Sequence, residues 1–482
     1  MSMEPIILLV VVAAVVILLA LLATGIPVAF ALAVSGALGL FVLSGSSTAS
    51  SALASLPYQS TAKVALVVIP MFVLMGVLAE KARIAEDVFL LGHRLLRRLP
   101  GGLALASLFA CAAFGAVSGS SVATTATIGR MSIAQMQKYG YSTSFAAGVV
   151  AAGGTLSFLI PPSIVLVVYA LLTGESVGAT LSAGIVPGII TVLVFGLLIL
   201  VRAKLKPSLV SGNVPVLTGA AGAGRTAAAE AAPAPGRISA AGGSTGRADP
   251  DDPTDAMLAE KRKGYAGALK IALLFTIVIG GIYSGILTAT ESAAFGAATA
   301  LVMLLLDGFR QGRSALIASI RESFSEAASV SSFIFGILIG ATVFTYFLVS
   351  AGVPTQFATW VIGLNPSPAL VVILLLVLMI PLGMFLDSLS VLLIVVPIAY
   401  PLVTGLGYDG IWFGILMIKM VELGLITPPV GMNVFVLAGT RGVTVANAFR
   451  GVAWFVPAEL LVVSILFTFP DLVTWLPSTI RG

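Results

Sequence analysis

Ser118-Gly119-Ser120-Ser121-Val122-Ala123-Thr124-Thr125 interrupts an apolar stretch that closes at Gly153-Gly154-Thr155-Leu156-Ser157-Phe158-Leu159-Ile160-Pro161-Pro162. A second stretch carries Gly383-Met384-Phe385-Leu386-Asp387-Ser388 and ends in Glu422-Leu423-Gly424-Leu425-Ile426-Thr427-Pro428-Pro429. A shift of 267 residues lays Ser120-Ser121 on Asp387-Ser388, Gly140-Tyr141 on Gly407-Tyr408, Pro161-Pro162 on Pro428-Pro429 and Gly184 on Gly451. One register held from the polar tip to the diproline and beyond marks an internal duplication of a membrane-embedded unit.

The surrounding composition sets the environment. The chain has 482 residues, 59% hydrophobic and 9% charged, too apolar for a soluble domain of this length. Apolar runs near 20 residues recur, each long enough to cross the hydrocarbon core as a helix. The run at 5–23 lacks a basic flank and leads straight into another, so it reads as a first span, not a leader. One cysteine, Cys111, leaves no disulfide framework, and one histidine, His93, leaves no His/Cys metal cluster.

Spans are expected near 5–23, 26–44 and 58–79, then an amphipathic interfacial arm at 80–99 with Lys81, Arg83, Arg94, Arg97 and Arg98. The stretch 101–137 is too polar at its tip for a plain span. It reads as a re-entrant helical hairpin, because non-helical backbone at membrane depth survives only where protein or water satisfies it. A span broken at Pro161-Pro162 follows over 142–172, and another over 179–201. Residues 207–253 are rich in Ala, Gly, Pro and Ser, the composition of a flexible linker, and Lys261-Arg262-Lys263 closes it. Spans near 267–288 and 291–306 come next, then 328–350, a short arm, a hairpin over 366–402, a diproline-broken span over 410–438 and a last span near 452–475.

With the N-terminus outside and hairpins counted as non-crossing, 22 of the 25 Lys and Arg fall inside, Lys63 and Arg481 outside, and Lys419 within a span. The fold class expected is an all-α polytopic membrane protein with about ten crossing helices and two re-entrant hairpins in two inverted repeats. Both termini then lie outside. The organisation expected is scaffold helices (1–79), arm (80–99), first transport unit (101–201), cytoplasmic linker (202–263), scaffold helices (264–350), second arm (351–365), second transport unit (366–438) and a final span with the C-terminus (439–482).

Diprolines remove two backbone donors and force local unwinding, which frees carbonyls for a hard monovalent cation. Hairpin tips present helix N-termini, whose N–H groups and positive dipole end suit a carboxylate. Two such pairs make the site of a secondary transporter, cations beside an anionic substrate. The substrate is expected at Ser118, Gly119, Ser120, Ser121, Thr124, Thr125, Thr155, Thr427 and Asn433. The cations are expected at Ser120, Thr155, Ser157, Pro161, Asp387, Ser388, Glu422, Gly424, Thr427 and Pro428. Taken singly, the tip hydroxyls are better explained by bonds to their own helix or by helix packing, and their clustering favours function. Asp387 is functional by default at membrane depth. Glu422 either pairs with Lys419, three residues earlier on the same face, or serves the site. Glu291 caps a helix at 289–290 or acts at a site, His93 belongs to the surface and Cys111 packs apolar neighbours. No nucleotide-binding loop and no Ser/His/Asp arrangement occurs, which argues against an ATPase or a hydrolase.

Several stretches resemble the large membrane subunit of TRAP (tripartite ATP-independent periplasmic) transporters of the DctM type. They are Ile69-Pro70-Met71-Phe72-Val73-Leu74-Met75-Gly76, Leu99-Pro100-Gly101-Gly102, Ser118-Gly119-Ser120-Ser121-Val122-Ala123-Thr124 and Ala151-Ala152-Gly153-Gly154-Thr155. Leu159-Ile160-Pro161-Pro162-Ser163, Gly383-Met384-Phe385-Leu386-Asp387 and Leu425-Ile426-Thr427-Pro428-Pro429-Val430-Gly431-Met432-Asn433 extend the likeness in order along nearly the whole chain. The long Ala/Gly/Pro-rich linker departs from the family pattern. The resemblance implies sodium as coupling ion with no other cofactor, and uptake of small carboxylates or sulfonates across a bacterial inner membrane. It also implies an elevator motion of a transport domain against a scaffold. The implied partners are a separate small four-helix membrane subunit, a periplasmic substrate-binding protein and the lipid bilayer, with no nucleic acid. The rival readings are a stand-alone sodium- or proton-coupled carboxylate carrier of related fold, and the permease of an ATP-driven importer.

Overall fold

The computed structural model describes residues 5–210, 267, 269–308, 312–363, 366–440 and 442–479. Among them every regular element is helical, as the bilayer requires of a chain whose backbone must satisfy itself. Among the described residues nine helices are long and apolar enough to cross a membrane, including both arms of the second hairpin. The first helix, Pro5–Ala23, buries only Ala14 and Leu18, which leaves its other apolar side chains for lipid. The linker from 211 onward and its basic cluster lie outside the described residues.

Helices Val28–Thr61, Val68–Lys81, Ala289–Gly308 and Arg313–Ser350 pack on one another as an outer group. Small residues set how closely they approach. A Cβ on Gly36 would lie 2.7 Å from Phe344 Cα, and one on Gly340 would lie 2.1 Å from Ala29 O. The sequence expects separate spans at 26–44 and 58–79; the helical run Val28–Thr61 is interrupted where the first expected span ends, at Gly45 with φ 83° and ψ 172°, and a further helical stretch continues to Thr61. Beyond the break the polar run stays helical, because hydroxyls turn back onto their own helix. Ser50 donates to Ser47 O at 3.0 Å and Ser55 to Ser51 O at 2.8 Å. The span expected at 328–350 likewise begins earlier, at Arg313, so Arg313 and Arg321 are helical. Thr288 and Glu291 form a capping box, with Glu291 Oε2 2.8 Å from the Thr288 N–H and the Glu291 N–H 3.2 Å from Thr288 Oγ1.

The arm is Ile84–Leu96. It buries Val88, Phe89 and Leu91 and lies along the first hairpin arm, with Gly92 close to Ala106. Lys270 holds Asp87 at 3.3 Å, and His93 is half-buried beside Tyr139. Burial raises the Asp87 carboxyl above the ordinary carboxylate range, and Lys270 opposes the rise.

The duplicated stretches share a local plan, although the first tip turns at a left-handed Gly119 (φ 61°) and the second at an extended Leu386 (φ −114°). The second arms of the two hairpins, Ser121–Lys138 and Ser388–Gly405, have 18 residues each. Each is followed by a left-handed glycine, Gly140 (φ 80°) and Gly407 (φ 87°). Ser142 then caps Thr143–Thr155 by accepting from the Phe145 N–H, and Asp409 caps Gly410–Leu425 by accepting from the Trp412 N–H. Every one of these pairs is 267 residues apart. Both helices stop before a diproline, each with a cis peptide bond, and resume at Ile164–Thr173 and Met432–Ala438. The expected span at 179–201 is present as Val177–Leu205, whose segments Val177–Ala183 and Ile185–Leu205 join at Gly184 with helical dihedrals. The end of the chain is Val445–Val452, Phe455–Thr468 and Asp471–Thr479.

Candidate functional site

The first hairpin arm, Gly102–Ser118, ends where Gly119 turns left-handed at φ 61°. A Cβ there would lie 3.1 Å from Pro162 O, so the tip rests directly on the diproline break and tolerates little beyond hydrogen. Ser120 caps the second arm, its side chain accepting from the Ala123 N–H at 3.3 Å. Beneath it the hydroxyls chain inward. Ser118 Oγ is 2.8 Å from Thr124 Oγ1, which is 2.9 Å from Ser157 Oγ on the broken helix. Thr125 is buried against Gly154, and its hydroxyl finds no partner among the described residues.

The second tip is built on the same plan with a different electrostatic outcome. Asp387 Oδ1 accepts from the N–H groups of Leu389 and Ser390 at 3.1 Å each, and Oδ2 accepts from the Ser390 hydroxyl. The positive end of Ser388–Gly405 is therefore matched by a carboxylate at its own N-cap. Ser120, neutral at the equivalent place, leaves the positive end of the first tip uncompensated. Ser388 Oγ, buried, has no hydrogen-bond partner among the described residues.

The two tips meet. Gly119, Ser120 and Val122 of the first line one cavity of about 180 Å³ together with Asp387, Ser388 and Leu389 of the second. Phe158, Ile164 and Val165 of the first broken segment, and Leu425 and Met432 of the second, complete the side formed by the duplicated stretches. Val330, Phe333 and Ile334 of Arg313–Ser350 close it from the outer group. The volume lies below the roughly 300–1,000 Å³ of drug-sized ligand sites, as suits a small solute.

Other expected site residues stand behind this cavity. Ser118 and Thr124 support the first tip as described. Ser121 accepts from Asn433 Nδ2 at 2.6 Å, a bond that ties the first tip to the helix after the second diproline. Thr155 donates back to Ala152 O within its own helix, and Thr427, in the second break, donates back to Leu423 O of the helix before it. Ser157 is 2.9 Å from Gly154 O as well as from Thr124. Pro161 and Pro428 form the breaks, and Gly424 lets the hairpin arm approach, its Cβ position lying 2.6 Å from Ile380 O. Glu422 does not line the cavity. It pairs with Lys419 at 3.2 Å, and Lys419 also contacts Glu459 of Phe455–Thr468 and Thr191 of Ile185–Leu205 at 3.2 Å. Sequence reading finds the Lys419–Glu422 pair from its spacing and misses Glu459, which only the packing of two distant helices supplies. Val330, Phe333 and Ile334 also escape it, since nothing local distinguishes them from lipid-facing residues.

The arrangement offers an anion a capped but uncompensated helix start and offers a cation hard oxygens, with apolar walls around both. Residues 15–472 match the family model described as tripartite ATP-independent periplasmic transporter, DctM component. The C4-dicarboxylate TRAP transporter large permease protein DctM of Pseudomonas aeruginosa is 33% identical, over 93% of this chain and 92% of its own. The sialic acid TRAP transporter large permease protein SiaM of Vibrio cholerae is 27% identical, over 96% of this chain and 97% of its own. The fold matches that of the YdaH transporter of Alcanivorax borkumensis with a TM-score of 0.59, at 15% identity and 91% coverage of both chains. The chain belongs to the DctM family of large permease subunits of TRAP transporters, multi-pass membrane proteins that are not enzymes.

Proposed function

We propose that this permease imports a small organic anion across the inner membrane, coupled to sodium and fed by a periplasmic binding protein. The observation that carries the reading is the single cavity shared by two unlike tips, one neutral and one carboxylate-capped. The substrate carboxylate meets Gly119 and Ser120, where the helix dipole is uncompensated. Sodium is held by Asp387, by the unpartnered Ser388 hydroxyl and by backbone carbonyls at the breaks, a set of hard oxygens suited to that ion. Thr124, Ser157, Thr155 and Thr427 shape these segments and do not touch the solute.

In the same reading the repeats are inverted, with both termini periplasmic, and the units carrying the tips move as an elevator against the outer group. A separate small membrane subunit completes the assembly. Names of relatives point to C4-dicarboxylates and sialic acid, both carboxylates. Proteoliposomes supplied with both partners should take up carboxylate when sodium is present outside and should stop when potassium replaces it. Undiminished uptake in potassium would overturn sodium coupling.

A further inference from the structure

The face of Arg313–Ser350 that closes the tip cavity continues in both directions. Ile334, Leu338 and Thr342 line a neighbouring cavity of about 320 Å³. Glu322, Glu326, Ser329 and Val330 line another of about 390 Å³ on the opposite side. Ile334 belongs to the first two hollows and Val330 to the last two, so the three succeed one another with the tip cavity in the middle. Steps of three and four residues keep these positions on one helix face. From 322 to 342 the helix rises about 30 Å, the depth of a hydrocarbon core.

The two ends carry opposite charge. Lys63 is the one charged residue lining the 320 Å³ cavity, beside the polar Gln59 and Ser60. It is exposed and makes no ion pair among the described residues. At the other end Lys81 is matched by Glu322 at 3.0 Å, and Glu326 leaves a surplus negative charge.

We propose that this helix face is the route of the transported anion and that Lys63 is its capturing residue at the outer mouth, while Glu326 makes the inner mouth favour cations. The proposal rests on the reading above, in which the cargo is an anion and Lys63 lies outside. A cationic mouth on an apolar-walled cavity raises the local concentration of anions and excludes cations. Asymmetric mouths keep the anion at the end where it is delivered and hold sodium where it is released.

The test uses the full chain purified in detergent, with Cys111→Ala, and single cysteines at Thr342 or Ser329. Anionic sulfonatoethyl and cationic trimethylammonium-ethyl methanethiosulfonates of similar size report the local field as a ratio of reaction rates. At Thr342→Cys the anion-to-cation ratio should fall roughly three- to tenfold with Lys63→Gln and recover with Lys63→Arg. At Ser329→Cys it should ignore Lys63→Gln and rise with Glu326→Gln. Leu338→Cys replaces Thr342→Cys if the latter does not fold. A ratio at the outer cysteine that ignores Lys63→Gln, or equal ratios at the two ends, would overturn the proposal. The labelling needs neither sodium nor cargo, so a failure of sodium coupling in uptake assays would leave this result standing.

Discussion

At the residue scale, the two tips differ most in charge at the N-cap, Ser120 in the first and Asp387 in the second. Asp387 engages both carboxylate oxygens with its own helix start, whereas Ser120 engages one hydroxyl. Asn is as good an N-cap as Asp, so Asp387→Asn should keep the tip folded while removing its charge. The expected outcome in uptake assays is a flattened sodium dependence with the half-saturating substrate concentration little changed. Ser120→Ala should do the reverse and raise that concentration about tenfold, the weight of one hydrogen bond to a charged group. Ser121 has a different role. Ser121→Ala leaves Asn433 buried with its donor short of a partner and should lower stability by about 1–3 kcal/mol in a denaturation assay, with affinity unchanged in the folded fraction. The hydroxyl cluster around Gly119 was legible as a candidate site from its composition. Which hydroxyls face the cavity was not, because that depends on how the tip sits on Pro162.

At the element scale, the duplicated caps and breaks were legible because their chemistry is local: a left-handed glycine, a cap, a helix, a diproline. Helix ends decided by packing were not, as the helical stretch that continues beyond Gly45 to Thr61 shows. Close crossings of small residues hold the elements in place, and Gly451 is the tightest. A Cβ there would lie 1.8 Å from Ser144 O, and the neighbouring backbone of Gly148 leaves no room to shift. Gly451→Ala should lower the melting temperature by the equivalent of about 1–3 kcal/mol or more, while Gly196→Ala, whose Cβ meets nothing nearer than 3.8 Å, should not. Lys419 anchors three helices through Glu422, Glu459 and Thr191. Lys419→Met strands two buried carboxylates and should destabilise by about 3–5 kcal/mol, and replacing all three charged residues by apolar ones of similar size should recover most of it. In the arm, the Asp87 carboxyl titrates higher when folded than unfolded, so its contribution to stability declines as pH rises through that interval. Asp87→Asn should flatten this part of the stability-versus-pH curve.

At the scale of the whole molecule, the charge distribution and the repeat were read from separate features of the sequence, and they agree on one topology. Ser244→Cys in the linker, with Cys111→Ala, should react with an impermeant maleimide in inside-out vesicles and not in intact cells. In the proposed cycle the path from one mouth to the other, the two tips and the two breaks act together, and an anion and a cation bind together. That claim is tested most directly by uptake of a carboxylate into proteoliposomes, titrated with external sodium for the unaltered permease and for Asp387→Asn. The account predicts a saturable sodium dependence in the former, absent in potassium, and a weakened sodium dependence in the latter at unchanged substrate affinity. Uptake indifferent to sodium in both, or an Asp387→Asn permease altered in substrate affinity alone, would contradict it.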